Sequence, residues 1–253
     1  MAWDRSDLVL SREIVCHYET GRWHYPSPMP RTARFIVEDC CYHVINRANK
    51  KAQIFHEAGD YEQFLALIHR AQARIRVPLL AACLMPNHLH LVVRPACARD
   101  LARWTQWVFT THVRWHHAKY ASTGRLWQGR FKAFLIQQDH HLLTVLRYVE
   151  RNALRARLVE RAEDWRWGSL AWRSAWCAPV ALSTSPVPLP SYWRHLVNEP
   201  QTAAELAEIR TCVNRQRPFG EQSWVIEQAR ILGIEHSLKP FGRPRKSRSV
   251  PVC

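Results

Sequence analysis

Val77-Pro78-Leu79-Leu80-Ala81-Ala82-Cys83-Leu84-Met85-Pro86-Asn87-His88-Leu89-His90-Leu91-Val92-Val93-Arg94 reads as two apolar runs joined by Met85-Pro86-Asn87. Proline presets a turn dihedral and asparagine hydrogen-bonds its own backbone, so the join predicts a turn and the whole a hairpin, residues 77–84 returning as 88–94. A lone hairpin is at best marginally stable in water and needs further elements to cover it. The flanking sequence supplies them. Cys41-Tyr42-His43-Val44-Ile45-Asn46-Arg47 reads as a strand. Residues 59–76 repeat Phe64, Leu65, Leu67, Ile68 and Ala71 at helical spacing. Leu101 to Lys119 is helical and rich in Trp, Phe131 to Gln137 is a fourth strand, and His140 to Arg157 a last helix. The order β-α-β-β-α-β-α predicts an α+β fold, a ferredoxin-like antiparallel sheet with helices on one face.

Composition sets the frame around that core. The chain has 253 residues, enough for one core domain with appendages, and its 47% hydrophobic content with 12 Trp argues for a folded protein. Residues 1–28 form an N-terminal extension with no apolar h-region, 29–176 the core domain, and 177–190, with four prolines, a linker. Residues 191–238 read as a helical C-terminal region and 239–253 as a basic tail. No apolar stretch is long enough to span a bilayer, so a cytoplasmic protein is expected. Eight cysteines lie scattered with no C-x-x-C, which suits reduced, buried thiols better than disulfides or structural zinc.

Charge narrows the partner. Thirty-six Lys and Arg against 21 Asp and Glu give a net +15, a field that attracts polyanions. The excess is clustered in Arg147, Arg151, Arg155, Arg157 and Arg161, and again in Lys239, Arg243, Arg245, Lys246 and Arg248. Nucleic acid is favoured over an anionic membrane, because no amphipathic helix accompanies the tail. Gly242-Arg243-Pro244 resembles the core of an AT-hook, in which arginine enters a narrow minor groove; a solvated basic tail that adds unspecific affinity is the other reading.

Three segments carry candidate chemistry. Residues two apart on a strand share a face, so His88 and His90 project together and make half of a metal site, or else a pair of hydrogen-bonded strand histidines. On the last helix Tyr148 and Asn152 stand one turn apart on a polar stripe, beside the apolar stripe of Leu142, Val145, Leu146, Val149 and Ala153. A hydroxyl and an amide there suit a nucleophile and a third metal ligand, or a tyrosine that packs its ring and wets its hydroxyl. In Gly124-Arg125-Leu126-Trp127-Gln128-Gly129-Arg130-Phe131-Lys132 cations alternate with aromatics, as in a loop that stacks bases and holds phosphates; a turn whose aromatics finish the core fits as well.

Together these segments resemble the REP-associated tyrosine transposases of the HUH superfamily, relatives of single-strand insertion-sequence transposases. The resemblance rests on His88-Leu89-His90, Tyr148-x-x-x-Asn152, Gly124 to Lys132, Tyr42-His43-Val44-Ile45-Asn46-Arg47 and Glu163-Asp164-Trp165-Arg166-Trp167-Gly168-Ser169, in order, over about residues 29–172. Two positions depart from the pattern: Ala48 stands for a glycine and Ala153 for a proline. The resemblance implies a bacterial, nucleoid-associated enzyme acting on single-stranded or hairpin DNA, with no small-molecule cofactor, as a monomer or homodimer. It implies one divalent metal, Mg²⁺ or Mn²⁺, on His88, His90 and Asn152, and attack by Tyr148 on a phosphodiester to leave a 5′-phosphotyrosine. Arg125, Trp127, Arg130, Lys132, Arg151, Arg155, Arg243 and Arg245 would then hold DNA. A domesticated hairpin-binding protein without cleavage, and a zinc hydrolase using a third histidine, are the rival readings.

Overall fold

The computed structural model describes residues 36–174 and 178–239, so the N-terminal extension 1–28 and the tail arginines Arg243 and Arg245 lie outside the described residues. Four antiparallel strands form the sheet: β1 (Cys41–Arg47), β2 (Leu79–Met85), β3 (His88–Val93) and β4 (Lys132–Ile136), in spatial order β2-β3-β1-β4. The predicted hairpin is β2–β3, with Met85 opposite His88. β1 lies between β3 and β4, as a ferredoxin-like plan requires.

Helices α1 (Ala58–Gln72) and α2 (Ala98–Tyr120) cover one face. Their Phe64, Ile68, Trp104 and Val108 pack on Tyr42, Val44, Leu84, Leu89 and Leu91. The predicted arrangement of helices on one face is thus present, and the opposite face is covered too. There α3 (His140–Glu150) lays Leu142, Val145, Leu146 and Val149 against Cys41, Cys83, Val92 and Phe134. A strand covered on both sides has no polar face to alternate with, which is why β2 is apolar and buried at every position.

The predicted last helix breaks after Glu150 into α3 and a single turn, α4 (Asn152–Arg155). A five-residue α5 (Ser169–Arg173) comes next, and the C-terminal region is helical as expected: α6 (Trp193–Asn198), α7 (Ala203–Arg215) and α8 (Gln222–Ile231). All described residues fall in one compact unit, Arg34–Cys253. Buried Glu150 ties the end of α3 to α5 and α6. Its carboxylate accepts from Ser169 Oγ at 2.6 Å, Arg173 Nε at 2.8 Å and Trp193 Nε1 at 2.7 Å. The proline-rich segment runs beside β2, where Ser183 N–H donates to Leu79 O at 2.7 Å and Val180 is buried. Phe219 pairs along β4 in the same manner, donating to Leu135 O at 2.8 Å and accepting from Gln137 N–H at 2.9 Å. Among the described residues no helix is long and apolar enough to cross a membrane.

Candidate active site

Tyr148, His88, His90 and Asn152 line one cleft of about 540 Å³. Register explains the assembly. On β3 His88 and His90 sit opposite Arg47 and Ile45 of β1, and all four face α3. The two imidazole centroids are 5.0 Å apart at 79°. Tyr148, in the last turn of α3, meets His90 edge-on at 5.8 Å. Asn152, one turn later, has its Oδ1 accepting from Arg155 Nη2 at 2.7 Å, while its buried Nδ2 finds no partner in the protein.

The histidines suit metal ligation in their present state. Burial, reinforced by Arg47 and Arg155, holds His88 down to about 4, and burial, with His43, His88, Arg155 and Arg47 close by, holds His90 well below the usual imidazole range. Both are therefore neutral at pH 7, as a ligand must be. Asn87 Nδ2 donates to Lys51 O at 3.2 Å, which turns its Oδ1 toward His88 Nδ1 at 2.7 Å. An amide oxygen only accepts, so His88 carries its proton on Nδ1 and its lone pair on Nε2. The donor set, two imidazoles and an amide oxygen, fits a small divalent cation. The histidine that stands beside His90, His43, bonds to its Nδ1 side rather than offering a third ligand as the zinc-hydrolase reading would need.

The cleft is basic. Arg130 reaches it from the segment before β4, where Gln128 N–H donates to Arg47 O at 2.9 Å and fixes the loop to β1, and Lys132 reaches it from the first position of β4. Arg155 lies over the Tyr148 ring, 4.1 Å from guanidinium carbon to centroid, so it holds the phenol from beneath. Other expected DNA contacts lie elsewhere. Trp127 is buried against Phe64, Phe109 and His112, which makes it a core side chain and leaves no face for a base. Arg125 is exposed outside the cleft. Arg151 turns away, donating to Val197 O and Asn198 O at the end of α6. Ala48 has φ −60° and ψ 147°, so the residue that replaces a glycine sits in a conformation open to any side chain.

Sequence reasoning passed over several contributors. Arg47, directly across from His88, needed the β1–β3 register to be seen. Arg210, Val213 and Asn214 close the cleft from α7, far along the chain. A further set of ligand-type groups, Asp139, His140 and His141, lies within 4.8 Å of one another at the start of α3, outside the cleft, with Asp139 accepting from His141 N–H as the helix cap.

Residues 36–152 match the family described as IS200-like transposases. Among solved structures the chain is similar to a REP-associated tyrosine transposase bound to a REP hairpin, with 16% identity, a TM-score of 0.49, and coverage of 61% of this chain and 93% of that one. It is also similar to a candidate transposase from Deinococcus radiodurans, with 15% identity, a TM-score of 0.35, and coverage of 48% and 96% respectively. No curated protein matches the sequence. The match to IS200-like transposases spans the segment, residues 36–152, that carries Tyr148, both cleft histidines and Asn152.

Proposed function

We propose that this chain is a metal-dependent single-strand DNA endonuclease and strand transferase acting at hairpin-forming repeat DNA, with its catalytic domain in residues 29–176. The observation that supports it most directly is the convergence of Tyr148, His88, His90 and Asn152 on one basic cleft. Tyr148 Oη attacks the scissile phosphorus in line; the Oη–P bond forms, the P–O3′ bond breaks, and a 5′-phosphotyrosine and a 3′-OH remain. His88 Nε2, His90 Nε2 and Asn152 Oδ1 would hold Mg²⁺ or Mn²⁺. When bound, such a cation polarises the phosphate and offsets its developing charge. Arg155 keeps the phenol ring in place, and Arg130 and Lys132 hold backbone phosphates along the strand. Because the covalent link conserves the phosphodiester, a second 3′-OH can reverse the step and join strands without ATP. Such an enzyme works in the bacterial cytoplasm, on the nucleoid.

The test uses a labelled hairpin oligonucleotide with a single-stranded flank, Mg²⁺ or Mn²⁺, and denaturing gels. Wild type should form a protein–DNA adduct that EDTA prevents. Tyr148→Phe should bind the hairpin and form none; an adduct that persists in Tyr148→Phe would overturn the assignment.

A further inference from the structure

His43 stands on β1 beside His90, and it is fully buried. Their rings lie nearly parallel, 15° apart with centroids at 5.1 Å, and His43 Nε2 is 2.9 Å from His90 Nδ1. Phe134 and Tyr148 meet the His43 ring edge-on at 4.9 Å and 6.0 Å, so the pair is packed on either side. Two neutral imidazoles share one proton in this contact, and it can be shared in two ways. If His43 donates, His90 keeps its own proton on Nε2 and has no lone pair for a metal. If His90 donates from Nδ1, its Nε2 is free to ligate.

We propose that His43 is a positioning residue for the metal site, accepting the Nδ1–H of His90 and thereby holding the His90 Nε2 lone pair toward the cleft. The inference rests on the metal-dependent function proposed above and extends it to a residue on another strand. A metal-bound histidine characteristically gives its second N–H to a partner that fixes ring and tautomer. Asn87 does this for His88 through its Oδ1, an oxygen that can only accept. His43 can accept or donate, so the two ligands differ: His88 is set in advance, and His90 is set when metal binds. In the ligating arrangement His43 carries its own proton on Nδ1, a buried atom with no partner in the protein. Metal affinity therefore depends on how well residue 43 accepts, beyond the ring packing it provides.

Binding of Mn²⁺ to the full chain, monitored by the electron paramagnetic resonance of the free ion, tests this without any DNA. His43→Phe keeps the ring packing and removes the acceptor; its Mn²⁺ affinity should fall by about 10–100-fold. His43→Gln, whose amide oxygen reaches the place of Nε2, should restore most of it. Thermal melts accompany both variants. Long-range proton–nitrogen NMR of wild-type imidazoles with Mg²⁺ should place the His90 proton on Nδ1, and this measurement stands even if His43→Phe fails to fold. Unchanged Mn²⁺ affinity in folded His43→Phe, or a His90 proton on Nε2 in the Mg²⁺ complex, overturns the inference. Wild type that takes up no Mn²⁺, or His88→Ala that binds as tightly as wild type, overturns the metal-dependent function and this inference with it.

Discussion

His112 shows how a single side chain can run against the fold it belongs to. It is fully buried on α2 among Phe55, Phe64, Trp115 and Trp127, and neither ring nitrogen meets a protein partner. Unpartnered buried polar groups cost about 1–3 kcal/mol each. Phenylalanine has nearly the same shape and no such groups. His112→Phe should therefore raise the stability of the folded chain by about 1–2 kcal/mol in urea melts; a lower midpoint would show that the ring nitrogens are satisfied or needed. The sequence disclosed some residues at this scale and concealed others. His88, His90, Tyr148 and Asn152 stood out because strand and helix periods put like chemistry on one face. Trp127 misled because cations surround it in the chain, whereas in space Trp127 turns inward and only Arg130 and Lys132 reach the cleft. Arg151 and Arg155 looked equivalent at one helical turn, yet Arg151 secures the carbonyls of Val197 and Asn198 while Arg155 lies over Tyr148.

At the scale of elements, the predicted strands and the first two long helices match the observed ones to within a few residues, because each has a clear period and a turn-forming boundary, while the third breaks after Glu150. The role of α7 was not legible. Its Thr202–Glu205 capping box announces a helix, but nothing in a local pattern says which surface the helix will meet. In the structure it presents Arg210, Val213 and Asn214 to the cleft beside Arg155. Arg210 is exposed and has no ion-pair or hydrogen-bond partner for its side chain among the described residues, so its charge is available to a phosphate. Arg210→Ala should weaken binding of single-stranded DNA evenly across sequences and reduce the salt slope of log K by about 0.7. Isotherms at several salt concentrations check this; an unchanged slope would place Arg210 outside the path of the strand. The proline-rich stretch teaches the same lesson from the other side. Prolines foretell an extended chain, and they say nothing about whether that chain hangs free or lies along a strand.

Across the whole molecule the buried histidines make folding sensitive to acid. Burial holds His43 and His112 down to about 3 and His88 to about 4, and His90 well below its ordinary value. In the unfolded chain these imidazoles titrate near about 6.5. Between those limits the unfolded state binds more protons, so stability rises with pH through the window and is lost as pH falls from about 6.5 toward 4. Each fully buried histidine contributes a slope of up to about 1.4 kcal/mol per pH unit. Thermal melts from pH 8 to pH 4 should stay level above about 6.5 and then fall steeply. His112→Phe should fall less steeply, and a level profile down to pH 4 would refute the account.

The two chain segments that flank the sheet bear on how the molecule keeps to itself. A sheet of four strands ends in two rows of backbone donors and acceptors, and such rows invite a strand from another chain. Here Ser183 occupies part of the row on β2 and Phe219 part of the row on β4, both from chain beyond the family-matched segment. These residues act as bumpers: a passing strand, from a neighbouring copy or a half-made chain leaving the ribosome, meets a docking row already in use. Crowding multiplies every chance of edge-to-edge misassembly, so the protection counts most wherever copies of the chain are dense.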